Sequence, residues 1–460
     1  MIVSRIGGYM FNRKFSSNIH RKKRMITSLI ILLVVSLGIG YSAFTSNLSI
    51  NGTLGVSKYE EKIYWALQDN DSDSINETLV LSSEEVTGNE QGKFAESTSF
   101  TSCYSVPWIA TNSLSTSNNK SYNVTTVNVE KEISPTSTAY WFGGVGYNAS
   151  TLNINLEKLN TSQVTDMSYM FAYAGYNAAT FSLDLSDWDT SQVTDMSYMF
   201  SEAGHEEATT WNIGDLSGWN TSQVTDMSSM FDGAGARATT LNIGDLSGWN
   251  TSQVTNMSYM FSNAGGGSAT TWYIGDLSGW NTSQVTDMSY MFYNAASVAT
   301  TWNIGDLSGW NTSQVTDMSS MFQDAGEKAT TWNIGDLSGW DTSQVTNMRY
   351  MFSNVGYNAT TFNLNLSGWD TSQVTNMYSM FQDAGEKATN FNLNLSGWNT
   401  SQVTDMRSMI SRAGYNATTF SITIPKTNGN GISNDTTHMY GSTSSTYASP
   451  PSSRTFTVAS

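Results

Sequence analysis

TSQVTDMSYMF, residues 190–200, is the stretch whose reading decides the fold. Nearly the same string begins at Thr161, Thr190, Thr221, Thr251, Thr282, Thr312, Thr342, Thr371 and Thr400, in steps of 29 to 31 residues. A fixed period of this length is the mark of stacked repeats, each too small to bury its own apolar face. Within the string Val193, Met196, Met199 and Phe200 fall at i, i+3, i+6 and i+7. That spacing predicts a short helix with one apolar face. Asp189, Thr190, Ser191 or Thr194 would cap its start, and the Ala203–Gly204 pair would end it.

After each string come a short loop and an alternating run such as FNLNLSGW (362–369), in which Phe362, Leu364 and Leu366 face one way and Asn363 and Asn365 the other. Ten such strand runs begin at Leu152, Phe181, Trp211, Leu241, Trp272, Trp302, Trp332, Phe362, Phe391 and Phe420. The expected fold class is therefore a repeat solenoid over 152–424, with one short strand and one short helix per unit. At about 4.8 Å per stacked strand, its nine intervals make a rod of roughly 43 Å.

The flanks differ. Residues 1–24 carry seven basic side chains and no acid, and 25–44 (MITSLIILLVVSLGIGYSAF) carry no charge. Twenty apolar residues suffice to span a bilayer, and the basic flank keeps the N-terminus cytoplasmic. An uncleaved signal-anchor and a cleaved signal peptide both fit this pattern. In either case the remainder lies outside the cell, on the surface or, if cleaved, secreted. It holds 14 basic residues against 38 acidic ones, a net −24 that argues against nucleic acid as a partner. Cys103 is the single cysteine, so no intrachain disulfide forms. Residues 45–121 read as a β-rich polar lead-in, with strand candidates at 46–56, 62–67 and 77–82. Residues 122–151, with a strand at Val124–Val129, read as the N-terminal cap, and 425–460 as the C-terminal cap, including a worn string at 434–442 and a closing strand at 453–458.

The nine strings and the lead-in ISPTSTAYWF (133–142) resemble the BspA-type leucine-rich-repeat surface proteins of bacteria. The resemblance covers about 122–460. It implies an extracellular or surface-attached leucine-rich-repeat-like solenoid, often linked to adhesion to host proteins or other cells. Trp stands where that repeat usually has Asn just after the strand (188, 219, 249, 280, 310, 340, 369, 398), and the unit is longer than many in the family.

Candidate chemistry is sparse. The paired methionines, 167/170 through 406/409, sit at core spacing beside Val and Phe. The Trp column reads as a buried spine, or as a sugar-stacking platform if exposed. Asp215, Asp245, Asp276, Asp306 and Asp336 recur at one position, but a single carboxylate per unit offers a calcium ion too few ligands. His20, His205 and His438 form no metal-spaced pair, and no catalytic or nucleotide-binding motif is present. No enzyme, cofactor or metal is expected. Two functions remain: a surface binding protein or adhesin with an extracellular protein or glycan ligand, and a structural stalk without a specific ligand. Variation between units separates them. The loop after each string is where the units differ, and Tyr176, His205, Arg237 and Tyr357 are the first ligand-binding candidates for a protein ligand. A repetitive glycan would instead suit the monotonous strand face.

Overall fold

A computed structural model describes residues 61–424 and the backbone of 456–458. The strands are β1 (Lys62–Gln68), β2 (Thr78–Ser82), β3 (Glu90–Ala95), β4 (Thr126–Val129), β5 (Asn153–Asn155), β6 (Thr180–Ser182), β7 (Thr210–Asn212), β8 (Thr240–Asn242), β9 (Thr271–Tyr273), β10 (Thr301–Asn303), β11 (Thr331–Asn333), β12 (Thr361–Asn365), β13 (Asn390–Asn394), β14 (Thr419–Ile424) and β15 (Phe456–Val458). From β5 to β14 they recur about every 30 residues and form the rungs of a β-solenoid. All ten expected runs are strands, displaced by at most one residue at the start. Within each sheet neighbouring rungs pair parallel and in register, as in Thr301↔Thr331, Trp302↔Trp332 and Asn303↔Asn333, and the strand pairing is interrupted at β5–β6, β9–β10 and β11–β12. Each side chain therefore stacks on its counterpart one coil away.

The expected helix is absent. Its string forms successive tight turns instead, and the reason is where the backbone donors go. The N–H groups of Met196, Tyr198, Phe200 and Glu202 donate to the carbonyls of Asp226, Ser228, Met230 and Asp232 in the next coil, at 2.7–3.0 Å. Those of Met199, Ser201 and Ala203 close three-residue turns onto Met196, Tyr198 and Phe200, at 3.1–3.3 Å. An α-helix would send every N–H four residues back. It would also forbid the left-handed φ of 57° at Tyr198, 60° at Glu202 and 58° at Gly204. The inward face is nonetheless the expected one, since Val193, Met196, Met199 and Phe200 are fully buried. A lone eleven-residue helix is marginal in water. The turn conformation gives every second donor a partner in the adjacent coil.

Three columns of rings fill the core, one of them the strand aromatics such as Trp272 and Trp302, with centroids 6.0 Å apart. Phe200 stacks on Phe231, which stacks on Phe261, with centroids 5.5 and 5.6 Å apart. The Trp219–Trp249–Trp280–Trp310–Trp340 spine repeats at 6.2–6.4 Å with planes within 3°. Each of these indoles donates to the preceding coil, as in Trp310 Nε1 to Leu277 O at 2.9 Å. The Trp after the strand is thus a buried link between coils, with both ring faces covered, so the sugar-platform reading fails. Only Trp188, at the start of the spine, is half-buried. The paired methionines lie in the same core.

The polar rows are capping groups. Asp166, Asp195, Asp226 and Asn256 accept the N–H two residues on, at 2.8–3.0 Å, and align as consecutive parallel bridges. Asp215, Asp245, Asp276, Asp306 and Asp336 cap three-residue 3-10 turns such as Leu216–Gly218 by accepting from the serine N–H two residues on.

The lead-in is part of the ladder. β1 is flanked antiparallel by β2 and β3, while β2 pairs parallel with β4, and β4 with β5. Trp65, Phe94, Phe100, Trp108 and Trp141 pack together with centroids 5.3–6.3 Å apart. They cover the apolar end of the first coils. At the other end β15 pairs parallel with β14. The expected basic flank (1–24), span (25–44), strand at 46–56 and worn string at 434–442 lie outside the described residues. Among the described residues, no helix is long and apolar enough to cross a membrane.

Two substitutions test this packing. Trp310→Ala should cost about 3–5 kcal/mol in denaturant melts, because a large side chain and its hydrogen bond are removed from a closed column; a cost under about 1 kcal/mol would contradict its burial. Gly326 has φ +53°, and a Cβ there would lie 2.6 Å from Trp302 Cγ. Gly326→Ala should therefore lose upward of about 2 kcal/mol, from left-handed strain and overpacking together, and an unchanged melting temperature would argue against the turn geometry.

Candidate functional site

The loops that follow the turn string line one edge of the solenoid. Most enter through Ala-Gly, with Ala295-Ala296 and Val355-Gly356 the exceptions, and return to the strand through Ala-Thr, with Ala178-Ala179 the exception, so the end points largely repeat while the middle varies. On the first coils the varying positions build one aromatic run. Tyr122, Tyr147, Tyr176 and His205 stack in sequence with centroids 5.2, 4.5 and 5.1 Å apart and planes within 15°. Their faces cover one another, so the run presents ring edges and hydroxyls to solvent. Glu206 ties its end together. Its carboxylate accepts from Tyr176 Oη at 3.3 Å and pairs with Arg237 Nη2 at 3.0 Å. His205 lies 3.4 Å from Glu202 and 3.5 Å from Glu206.

At these distances burial still opposes the charged form of His205. Its Nδ1 is buried and makes no hydrogen bond. Burial pushes its pKa down, which outweighs the opposing pull of Glu206. Burial also pushes the Glu202 carboxyl up to about 7, with the Asp232 and Glu206 charges adding to the effect. Asp232 is raised by burial in the same way.

Of the four residues expected in the ligand site, the structure brings together Tyr176, His205 and Arg237. It places Tyr357 apart, four coils beyond Arg237, about 19 Å at 4.8 Å per coil. Tyr357 anchors a second cluster. Lys328 and Lys387 sit on its ring, 5.9 and 4.9 Å from the centroid. Arg412 pairs with Glu386 at 2.5 Å and Asp383 at 3.1 Å, and lies 5.5 Å from the Tyr415 ring. Burial raises Asp383. Between the clusters the loops carry small residues, Gly266-Gly267-Ser268 and Ser297-Val298.

Sequence reasoning missed Tyr147 and Arg412. Tyr147 belongs to the cap, one rung before the first string. Arg412 and Glu386 are 26 residues apart, short of a full period, and meet because they sit at different points of adjacent coils. It also missed the β1–β2 turn, where Asp69, Asp71, Asp73 and Glu77 bring carboxylate oxygens within 4.8 Å of one another. Among the described residues this is the group close enough to share a metal ion. Each of the four also accepts a backbone N–H within the turn, as in Asp69 with Ser72 at 2.6 Å and Glu77 with Asn70 at 2.7 Å.

Residues 115–214, 236–327 and 326–449 match the family model described as Mycoplasma protein of unknown function, DUF285. No curated protein matches the chain. No solved structure matches it.

The acidic cluster makes a pH prediction. In the unfolded chain Glu202 titrates at its ordinary 4.5 and in the folded chain at about 7. Between those values the folded state binds the extra proton, so this group's contribution to stability falls as pH rises through the window. His205 acts in the opposite sense below its ordinary 6.5. The clean readout is therefore a difference: Glu202→Gln should gain on the parent in melting temperature between pH 5 and pH 8. An equal gap at both pH values would contradict the raised carboxyl.

Proposed function

The chain belongs to the family described as Mycoplasma protein of unknown function, DUF285, and within it we propose a non-catalytic scaffold displayed outside the cell that binds a protein partner along its loop edge. The observation that carries the reading is the contrast between the faces of the coil. Inward positions and strand-facing Thr and Asn repeat from coil to coil. The loop edge carries two clusters of different chemistry, one acidic and aromatic with Arg237 and one of Lys328, Lys387 and Arg412 around Tyr357, balanced by Glu327, Asp383 and Glu386. A passive stalk needs no such difference, whereas a rigid scaffold with variable loops is a common way to build a specific surface. Tyr and Arg are also the residue types that dominate binding energy at interfaces.

Support for display outside the cell comes from the basic flank, the apolar run at 25–44 and the acidic remainder. The resemblance to BspA-type leucine-rich-repeat surface proteins points the same way and extends the proposal to adhesion. Anchoring by residues 25–44, and secretion if they are cleaved, both agree with it.

The test is a screen of the full-length chain against immobilised host matrix and cell-surface proteins. It is followed by the combined variant Tyr176→Ala, His205→Ala, Arg237→Ala and Tyr357→Ala. Because Tyr176 stacks on both neighbours at about 0.5–1.5 kcal/mol per aromatic pair, a melt is run alongside. Binding to the protein found should weaken at least about tenfold while the chain stays folded. Undiminished binding, with loss instead on changing Asn303, Asn333 and Asn363 to Ala, would move the contact to the strand face.

A further inference from the structure

The solenoid contains coils of two lengths. From the strand aromatic to the spine Trp, the long coils read WNIGDLSGW (332–340) and the short ones FNLNLSGW (362–369). The additional residue in the long form is accommodated at a glycine such as Gly335, with φ +84°. Most like coils lace together beyond the strand. Leu307 N–H reaches Ile334 O at 2.9 Å between two long coils, and Leu366 N–H reaches Asn394 O at 2.9 Å between two short ones. Where short β6 meets long β7, Leu185 N–H still reaches Ile213 O at 3.2 Å. The reverse junction, long β11 to short β12, is not closed. β11 pairs only with β10, β12 only with β13, and among the described residues no backbone bond joins Leu337 to the following coil; the strand ladder is also interrupted at β5–β6 and β9–β10, between coils of equal length, so what sets this junction apart is the space beside it.

At this junction lies a cleft of about 580 Å³, lined by Trp332, Asn333, Asp336, Thr361, Asn363 and Asn365 among others. This size falls within the range of small-molecule sites. The cleft also exposes its floor. Trp211, Trp272 and Trp302 of the same column are 2–8% exposed, whereas Trp332 is only half-buried. Its faces remain stacked on Trp302 and Phe362, 5.9 and 5.8 Å away, so it offers an edge. That unchanged spacing also leaves no room for an inserted β-strand.

From this lining we infer that the cleft binds a neutral sugar, a mono- or disaccharide unit. Asn333 Oδ1 is taken by Gly335 N–H at 3.1 Å, Asn365 Oδ1 by Ser367 N–H at 3.3 Å, and Asn363 Oδ1 by Asn392 Nδ2 at 2.7 Å. Three amide NH₂ groups are left as donors. The Ser338 N–H and hydroxyl bonded to Asp336 hold its carboxyl below its ordinary value, and with one oxygen engaged it keeps the other as an acceptor. Thr331 and Thr361 supply hydroxyls that do both. Several donors beside one strong acceptor match a run of hydroxyls, whose oxygens accept and whose protons are donated. The Trp332 edge and Leu364 supply apolar surface for the sugar's C–H groups. No basic side chain lines the cleft, and the chain carries net charge −17, so phosphates and acidic sugars are disfavoured.

This site is independent of the loop edge, and its test leaves all four loop residues, Tyr176, His205, Arg237 and Tyr357, unchanged. Saturation-transfer NMR on the full-length chain would be run with maltose, cellobiose, lactose and diacetylchitobiose at millimolar concentration. The variants are Asn333→Ala/Asn363→Ala/Asn365→Ala at the cleft and Asn212→Ala/Asn242→Ala at the laced β7–β8 rungs. All five asparagines are exposed, and an unchanged melt accompanies each comparison. At least one disaccharide should show transfer, weakened about tenfold or more by the cleft variant and unaffected by the control, as loss of two ordinary hydrogen bonds implies. No transfer to any of the four sugars, or equal weakening by both variants, would overturn the inference.

Discussion

The structure depends on one hydrogen-bond pattern: alternate N–H groups of the turn string reach the carbonyls of the next coil. Phe200 N–H to Met230 O at 2.8 Å is one of dozens of such links. Because these bonds fix each coil against the next residue for residue, like must stack on like. That is acceptable for Phe, Trp and Met, whose columns form the core. It is unfavourable for charges, which is why the Asp row is broken by Asn256, Asn347 and Asn376 and each member is bonded to a local backbone N–H. Stability in such a stack is the sum of many nearest-neighbour interfaces.

The same constraint determines where novelty can enter. A residue that points inward is held by its two neighbours in the column. A loop residue contacts mainly its neighbours along the edge, so Tyr176, His205 and Arg237 can make one surface and Lys328, Tyr357 and Lys387 another without disturbing the core. A change in coil length is the other route. At β6–β7 the ladder absorbs the longer coil, and at β11–β12 it does not. The space beside that junction turns repeated, commonplace residues into a distinct cleft.

Much of this was legible in the sequence. The period gave the solenoid, and the alternation of Phe362, Leu364 and Leu366 with Asn363 and Asn365 located the rungs. The inward set of the string was also correct. The helix was not, because Val193, Met196 and Met199 repeat every three residues, a spacing that a helix face and a chain of tight turns share. The distinguishing signal lay at the position of Glu202, which holds Gly233, Asn263, Asn294, Asp324, Asn354 and Asp383 in six of the other coils and Tyr173 and Arg412 in the first and last. Gly, Asn and Asp are the residues that best tolerate left-handed φ, which every member of that column adopts. The candidate site was half legible. Loop variation named its residues, but which of them meet depends on coil order and on Glu206 and Arg412, whose partners lie just under or over one period away. Of the cleft only the change in coil length beside it was legible, since its walls are residue types found on every rung.

The most direct test of the account is to measure scalar couplings across hydrogen bonds in deuterated, isotope-labelled protein, at the amides of Tyr198 and Phe200. The account predicts that these nitrogens couple to the carbonyl carbons of Ser228 and Met230, about thirty residues on. Coupling instead to the carbonyls of Thr194 and Met196, four residues back, would show a helix and contradict it.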